Sequence, residues 1–136
     1  MKIYYREKSG GIEILRCFGI EGRVEIPGMI DGKLVISAAP YAFSSHMDEK
    51  EELKNASLWE VSDGLGFGRE EHVLAGNDVE EIVFPYTLKE IGRYIFYGCG
   101  NLKKLEFSAE DVKDTYFQEY WDQTMGKKDD LENGIN

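Results

Sequence analysis

Residues 77–84 read Asn-Asp-Val-Glu-Glu-Ile-Val-Phe, and residues 100–107 read Gly-Asn-Leu-Lys-Lys-Leu-Glu-Phe. The second stretch repeats the first 23 positions further along the chain. Apolar residues recur at the same three places, which are Val79, Ile82 and Phe84 in the first copy and Leu102, Leu105 and Phe107 in the second. A repeat of this period predicts a fold made by stacking similar units.

The apolar spacing within each copy is that of a leucine-rich repeat, Leu-x-x-Leu-x-Leu, in which the period is about 20 to 29 residues. One such strand cannot bury its apolar face alone, so equivalent strands stack as rungs and share a core. Glu80-Glu81 and Lys103-Lys104 would then lie side by side in neighbouring rungs, with acid beside base. The sequence therefore predicts parallel, in-register strands at these two places.

The segment between the two strands carries a more specific pattern. Pro85 ends the first strand because it has no hydrogen-bond donor, and residues 84–102 follow the order Phe-Pro-x-x-Leu-x-x-Ile-Gly-x-x-x-Phe-x-x-Cys-x-Asn-Leu. This order resembles the BspA-like, or treponemal-type, leucine-rich repeat, whose unit reads Ile-Pro-x-x-Val-x-x-Ile-Gly-x-x-Ala-Phe-x-x-Cys-x-x-Leu. The resemblance covers residues 79–107, and only Ile95 departs from it, where the family has Ala. It implies a bacterial, right-handed solenoid of short parallel strands with irregular or short helical returns.

An earlier and longer copy is visible at residues 24–43. Its Ile26-Pro27 and Ala42-Phe43 pairs match the anchors of the unit, but 16 positions separate its Pro from its Phe, against 11 in the later copy. Five residues are therefore inserted, around Asp31-Gly32, a pair that favours a tight turn. Ala38-Ala39 stand where the family has Ile-Gly.

The residues ahead of this copy predict a β-hairpin. Residues 2–6 and 11–18 alternate or run apolar, and Glu7-Lys8-Ser9-Gly10 joins them. A hairpin at this position can cap the open end of the stack, where an unprotected edge would otherwise invite aggregation.

Residues 45–78 interrupt the repeat. Ser45 and Asp48 are placed as the N-cap and third residue of a short helix that runs through residues 49–54. Residues 58–68, which contain several glycines, are interpreted as a loop, with a degenerate rung as the alternative.

The repeat ends within its third unit. Asp111 and Asp114 fall where the pattern requires apolar residues, and unpaired carboxylates cannot line an apolar core. An amphipathic helix is predicted instead over residues 109–125, because five apolar or aromatic residues share one of its faces: Val112, Tyr116, Phe117, Tyr120 and Trp121. This helix would cover the last rung, and residues 126–136 would form a flexible tail.

The predicted architecture is one domain over residues 1–125, a short and irregular leucine-rich-repeat solenoid of mixed α/β class. It comprises an N-terminal β-hairpin cap (1–23), a first repeat (24–44), an insertion (45–78), a second repeat (79–108) and a capping helix (109–125), followed by the tail (126–136).

The composition restricts the partners. The chain of 136 residues has a formal net charge of −10, so it repels a phosphate backbone and nucleic acid is not expected as a partner. Neither an 18-residue apolar run nor a secretory h-region is present, so membrane insertion is not expected and cytoplasmic location is the default. A cell-surface or secreted location would apply if the chain is a fragment of a longer protein.

The sequence offers little chemistry. Residues 64–68 contain three glycines but miss the dinucleotide-binding spacing, because Arg69 stands where the third glycine is needed. His46 and His72 have no nucleophile motif near them. The acidic run at residues 48–52 lacks the glycine of a calcium loop. We therefore predict no catalytic residue, no metal site and no cofactor, and we interpret Cys17 and Cys99 as buried, reduced thiols.

These observations favour a non-enzymatic module that binds a protein partner, since the resemblance implies contacts with proteins or surfaces. The candidate contact residues are those that would face outward on the strands: Glu81, Val83, Lys104 and Glu106. One alternative is a structural end fragment of a longer repeat protein. Another is a small hydrolase that uses Cys17 or His72 in a cleft made by residues 45–78.

Overall fold

The computed structural model describes residues 1–61 and 70–107. It begins with an antiparallel hairpin of β1 (Lys2–Lys8) and β2 (Gly11–Gly19). Ser9 and Gly10 form its two-residue turn, with φ angles of 53° and 81°, and twin left-handed residues suit the twist of a hairpin. The predicted hairpin is present, and its first strand extends two residues beyond the predicted end.

Three parallel strands form the stacked rungs: β3 (Arg23–Glu25), β8 (Glu81–Phe84) and β10 (Lys104–Phe107), with β8 in the middle. Glu81 pairs with Lys104 on one side and with Arg23 on the other. The parallel, in-register pairing predicted from the 23-residue repeat is confirmed. In the earlier and longer copy, Val24 pairs with Ile82, so its strand lies beside β8.

A second ladder runs beside the first. β5 (Lys33–Ala38) lies parallel to β2 on one side and to β9 (Glu90–Ile91) on the other. Ala38 pairs with Ile91, so the Ala-Ala pair occupies the Ile-Gly position of the later copy. The five extra residues of the earlier copy are accommodated where β4 (Met29–Ile30) folds back on β5 through a turn at Asp31-Gly32. Both turn residues have positive φ, of 53° and 76°, as a tight hairpin turn requires.

The insertion departs from its prediction in two respects. Its helix α1 spans only Glu49–Glu52, and Asp48 is the N-cap, whose side chain accepts a hydrogen bond from the Glu51 amide. The prediction of Ser45 as the cap was wrong, because the chain still turns between residues 44 and 47 and Asp48 is the last residue before the helix. The degenerate rung is also not found at residues 57–60, where β6 (Ser57–Glu60) pairs antiparallel with β1.

The remaining described elements are β7 (His72–Val73), which pairs antiparallel with β2, and a 3-10 turn at Gly76–Asp78. The two described ranges consist almost entirely of strands and turns, with α1 as their one short α-helix, so the predicted mixed α/β class is not confirmed by them. The predicted capping helix at 109–125, the tail at 126–136 and most of the glycine-containing loop at 58–68 lie outside the described residues.

The core lies between the two ladders and the returns that follow them. Phe43, Phe84 and Phe96 form a triangle at its centre, with ring centroids 6.2 to 6.4 Å apart. Phe43 and Phe96 are the anchor residues of the two repeat copies, and both are fully buried. The repeat motif therefore marks the residues that the stacked units share as their interior.

Candidate functional site

The outer surface of the three-stranded sheet, here called the sheet face, brings together all four predicted contact residues. It consists of two rows across the strands, Arg23-Glu81-Lys104 and Glu25-Val83-Glu106. Lys104 and Glu106 are exposed, whereas Glu81 and Val83 are half-buried. The alternate residues point inward, so Val24 and Ile82 are buried beneath the rows.

Charges on the sheet face largely neutralise one another. Arg23 contacts Glu25 at 3.3 Å and Glu81 at 4.0 Å, while Lys104 contacts Glu106 at 2.9 Å. The hydrogen bond and charge of Glu106 raise the pKa of Lys104. Pairs of this kind fix side-chain positions but stabilise the fold little when exposed. The sheet face therefore offers both signs of charge to a partner.

The acid-beside-base stacking that the sequence predicts is present at the turn into these strands. Lys103 lies 2.8 Å from Glu80, its neighbour one rung away. The same hydrogen bond raises the pKa of Lys103. This contact belongs to the stacking of the rungs and confirms their register.

A second surface, here called the tyrosine patch, was not found by the sequence reasoning. It comprises Tyr41, His46, Arg93, Tyr94 and Tyr97 on the returns of the two repeat copies. Tyr41 and Tyr94 each stand two positions before the anchor Phe of their copy. Aligning the two copies beyond their apolar positions would have paired them.

The two thiols are poor candidates for nucleophiles. Cys17 is fully buried and Cys99 is 1% exposed, and both are free. Burial raises the pKa of Cys17 to about 12, against the lowering effect of Arg16, and burial likewise raises that of Cys99 to about 12. Since the thiolate is the reactive form, neither cysteine is activated in this environment.

The insertion borders a surface depression in the region proposed for the hydrolase cleft. Its lining residues are Arg6, Leu15, Glu51, Glu52, Asn55 and Ala56. Neither a thiol nor an imidazole is among them, and His72 is exposed on β7 while Cys17 is buried. The described residues therefore give the hydrolase hypothesis no assembled nucleophile and base.

Glu13 is a buried acid in the middle of β2, with 1% of its surface exposed. Arg6 donates to its Oε1 at 2.7 Å, and Ser37 and Lys8 donate to its Oε2 at 3.0 and 3.2 Å. Burial by itself would raise the pKa of Glu13, but these hydrogen bonds outweigh burial and hold the pKa below its ordinary value. A group that stays ionised in this way joins strands and does not serve as a general acid.

We expect Glu13→Gln to lower the free energy of unfolding by about 2 kcal/mol at pH 7, because it removes the charge from three hydrogen bonds. The folded-state pKa lies below the ordinary 4.5, so the carboxylate stabilises the fold above pH 4.5, and this contribution is lost as the pH falls below that value. Urea unfolding of both proteins between pH 3 and pH 7 tests this. A difference that stays constant over the whole range would contradict the assignment.

The described residues provide neither a cluster of metal ligands nor a membrane-spanning helix. No group of three or more His, Cys, Asp or Glu side chains in this part of the chain is placed to hold a metal ion. No helix within residues 1–61 and 70–107 has the length and apolar character needed to cross a membrane.

The stacked parallel strands, their 23-residue register and the shared phenylalanine core define a leucine-rich-repeat fold. The chain is similar in structure to the leucine-rich repeat protein TpLRR of T. pallidum, with a TM-score of 0.54 and 21% identity over 82% of this chain and 38% of that one. It is also similar to a leucine-rich repeat protein from Bacteroides ovatus ATCC 8483, with a TM-score of 0.49 and 22% identity over 83% of this chain and 24% of that one.

This chain thus spans well under half the length of either solved structure. No protein-family model matches its sequence, and no curated protein matches it.

Proposed function

We propose that this chain is a protein-binding module of the BspA-like leucine-rich repeat type. The observation that carries the proposal is the regular sheet face, whose two rows present Val83 and charges of both signs on a stacked scaffold. A solenoid presents equivalent positions of successive rungs at fixed spacing, which creates an extended surface for contact with another macromolecule. The leucine-rich-repeat fold and the motif at residues 84–102 support the same proposal.

The contact residues in this proposal are Glu81, Val83, Lys104 and Glu106. Val83 lies between two carboxylates in its row, so a partner meets an apolar spot bordered by charge. Interfaces of this composition bury the apolar spot and use the surrounding charges for orientation and selectivity. The partner expected here is a folded protein surface, which can contact both rows of the sheet face at once.

The test uses a photo-crosslinking amino acid placed at residue 83, with the same amino acid at the exposed position of Lys54 as the matched control. We expect residue 83 to yield a protein adduct in cells that make this protein, and residue 54 to yield none. The identified partner is then purified for affinity measurements. The charge exchange Glu81→Lys with Lys104→Glu should weaken its binding at least about tenfold, because acid and base change places at two contact positions.

The exchange keeps opposite charges across β8 and β10, so the rungs should remain paired, which circular dichroism and the urea midpoint verify. Equal adducts from residues 83 and 54 would overturn the assignment of the sheet face. Unchanged affinity of the exchanged variant would overturn it as well.

A further inference from the structure

The tyrosine patch is built by equivalent residues of two rungs. The Tyr41 amide donates to the Arg93 carbonyl, and the Phe43 amide donates to the Ile95 carbonyl, so the two returns stack in register. The rings of Tyr41 and Tyr94 lie 5.6 Å apart, and Tyr94 contacts Tyr97 edge-on at 6.1 Å. His46 completes the patch, 4.7 Å from Tyr97.

The core does not require aromatic rings at these positions. Tyr41 and Tyr94 are only half-buried, and 44% of Tyr97 is exposed, while the neighbouring Phe43 and Phe96 fill the interior. Tyr41 and Tyr94 also have φ angles of 61° and 58°, a region that disfavours bulky side chains. Within the described residues no hydroxyl of the three tyrosines has a hydrogen-bond partner. These tyrosines therefore offer apolar ring faces and hydroxyl groups to a partner, as aromatic residues at interfaces do.

Arg93 gives the patch its charge preference. Three of the four arginines in the described ranges have a carboxylate within 4.0 Å: Arg6 with Glu13, Arg16 with Glu49, and Arg23 with Glu25 and Glu81. Arg93 is the fourth and has none there. Its guanidinium lies 5.9 Å from the ring centre of Tyr94, which holds it beside the aromatic surface. A carboxylate is the group that completes an unpaired guanidinium, through paired hydrogen bonds.

We propose that the tyrosine patch binds an extended segment of a partner protein that carries one carboxylate flanked by apolar side chains. The carboxylate pairs with Arg93, and the apolar side chains pack on Tyr94 and Tyr97. One acid fits better than a run of acids, because at physiological salt only a carboxylate within about 8 Å of Arg93 interacts with it without strong screening. Further acids on the segment would approach a chain whose net charge is −10. This surface is separate from the sheet face, so the two proposals stand or fall independently.

The test begins with selection of a random dodecapeptide phage library against the purified full chain. We expect the enriched peptides to share an Asp or Glu with apolar neighbours. One synthetic peptide is then titrated by fluorescence anisotropy. Tyr97→Ala should weaken its binding at least about tenfold and Arg93→Gln at least about fivefold, while the matched control Lys54→Gln, at an exposed position outside both surfaces, should change it less than about twofold.

Circular dichroism and urea midpoints confirm that each variant is folded. Selected peptides without a shared acid would overturn the proposal, as would affinities that Arg93→Gln and Tyr97→Ala leave unchanged. A further variant, Lys104→Gln, probes the sheet face: if it weakens peptide binding while Arg93→Gln and Tyr97→Ala do not, the proposal is overturned and the binding belongs to the sheet face. Binding of a neutral oligosaccharide that Tyr97→Ala abolishes, with no selected peptide, would replace the proposed partner by a carbohydrate.

Discussion

Gly92→Ala is expected to lower the free energy of unfolding by about 3 kcal/mol or more, which is a large fraction of the stability of a single domain. A Cβ atom at residue 92 would lie 2.1 Å from the Pro40 nitrogen and 2.4 Å from the Ala39 carbonyl carbon. Both contacts are with the backbone of the neighbouring rung, which cannot rotate away as a side chain can. The two returns must therefore separate, and the hydrogen bond from the Gly92 amide to the Ala38 carbonyl at 2.7 Å is strained or lost.

Gly28→Ala is the matched control for this substitution. A Cβ atom there would meet Pro85 and Thr87 at 3.7 to 3.9 Å, which is ordinary contact distance, so we expect a change within about 1 kcal/mol. Urea unfolding followed by circular dichroism measures both variants. Equal midpoints for Gly92→Ala and the unsubstituted protein would show that the rungs are not packed as closely as the backbone contacts imply.

The close approach of the two rungs at Gly92 also explains why the motif at residues 84–102 can be recognised in the sequence. Its Ile-Gly pair is fixed by two physical demands, an apolar side chain for the core and no side chain where the next rung approaches. The Asp31-Gly32 turn is equally readable, because few residue pairs adopt two successive left-handed conformations. Residue types that the stacking of rungs or a tight turn requires can therefore be recognised as short patterns in the sequence.

The insertion gave no such signal. β6 and β7 contact β1 and β2, far away in sequence, and such pairings follow from the sheet edges that the rest of the fold leaves open. A four-residue strand with exposed Leu58 shows too short a pattern to reveal its partner. The interpretation as a loop or rung was wrong for residues 58–60 for this reason, and residues 62–68 lie outside the described part of the chain.

The two candidate sites also differ in how far the sequence predicts them. The sheet face was predictable, because inward Ile82 and its outward neighbours alternate with the strand period. The tyrosine patch was not, because its residues lie on irregular returns, where no period marks which side chain is outward. Only the stacking of Tyr41 on Tyr94 shows that the two positions form one surface.

Arg16 was the least predictable residue of the interior. It is a charged residue within an apolar run of β2, and only 2% of its surface is exposed. Its Nη1 donates to the carbonyls of Tyr41, Ala42 and Ser44 at 3.1, 3.2 and 2.6 Å. These carbonyls belong to the return of the first repeat copy, which has no regular partner strand. A guanidinium supplies several donors in one plane, so one side chain can donate hydrogen bonds to several carbonyl oxygens of a turn that pairs with no strand.

Arg16→Met is therefore expected to lower the free energy of unfolding by about 3 to 4 kcal/mol. The Tyr41 and Ser44 carbonyls keep second donors, the amides of Ser44 and Met47, but the Ala42 carbonyl has no other donor among the described residues. Adding Glu49→Gln to Arg16→Met should cost almost nothing more, since Glu49 acts through its 2.8 Å contact with Arg16.

Arg23→Met is the matched control for Arg16→Met, because Arg23 is likewise paired with carboxylates but lies exposed on the sheet face. We expect its loss to change stability by at most about 1 kcal/mol. Urea midpoints of the three variants, measured at pH 7, separate the two kinds of arginine. If Arg16→Met and Arg23→Met cost the same, the buried hydrogen bonds of Arg16 do not hold the first return in place. Order in that return, and with it the position of Tyr41 beside Tyr94, would then have to come from the phenylalanine core and from the backbone hydrogen bonds to the second return.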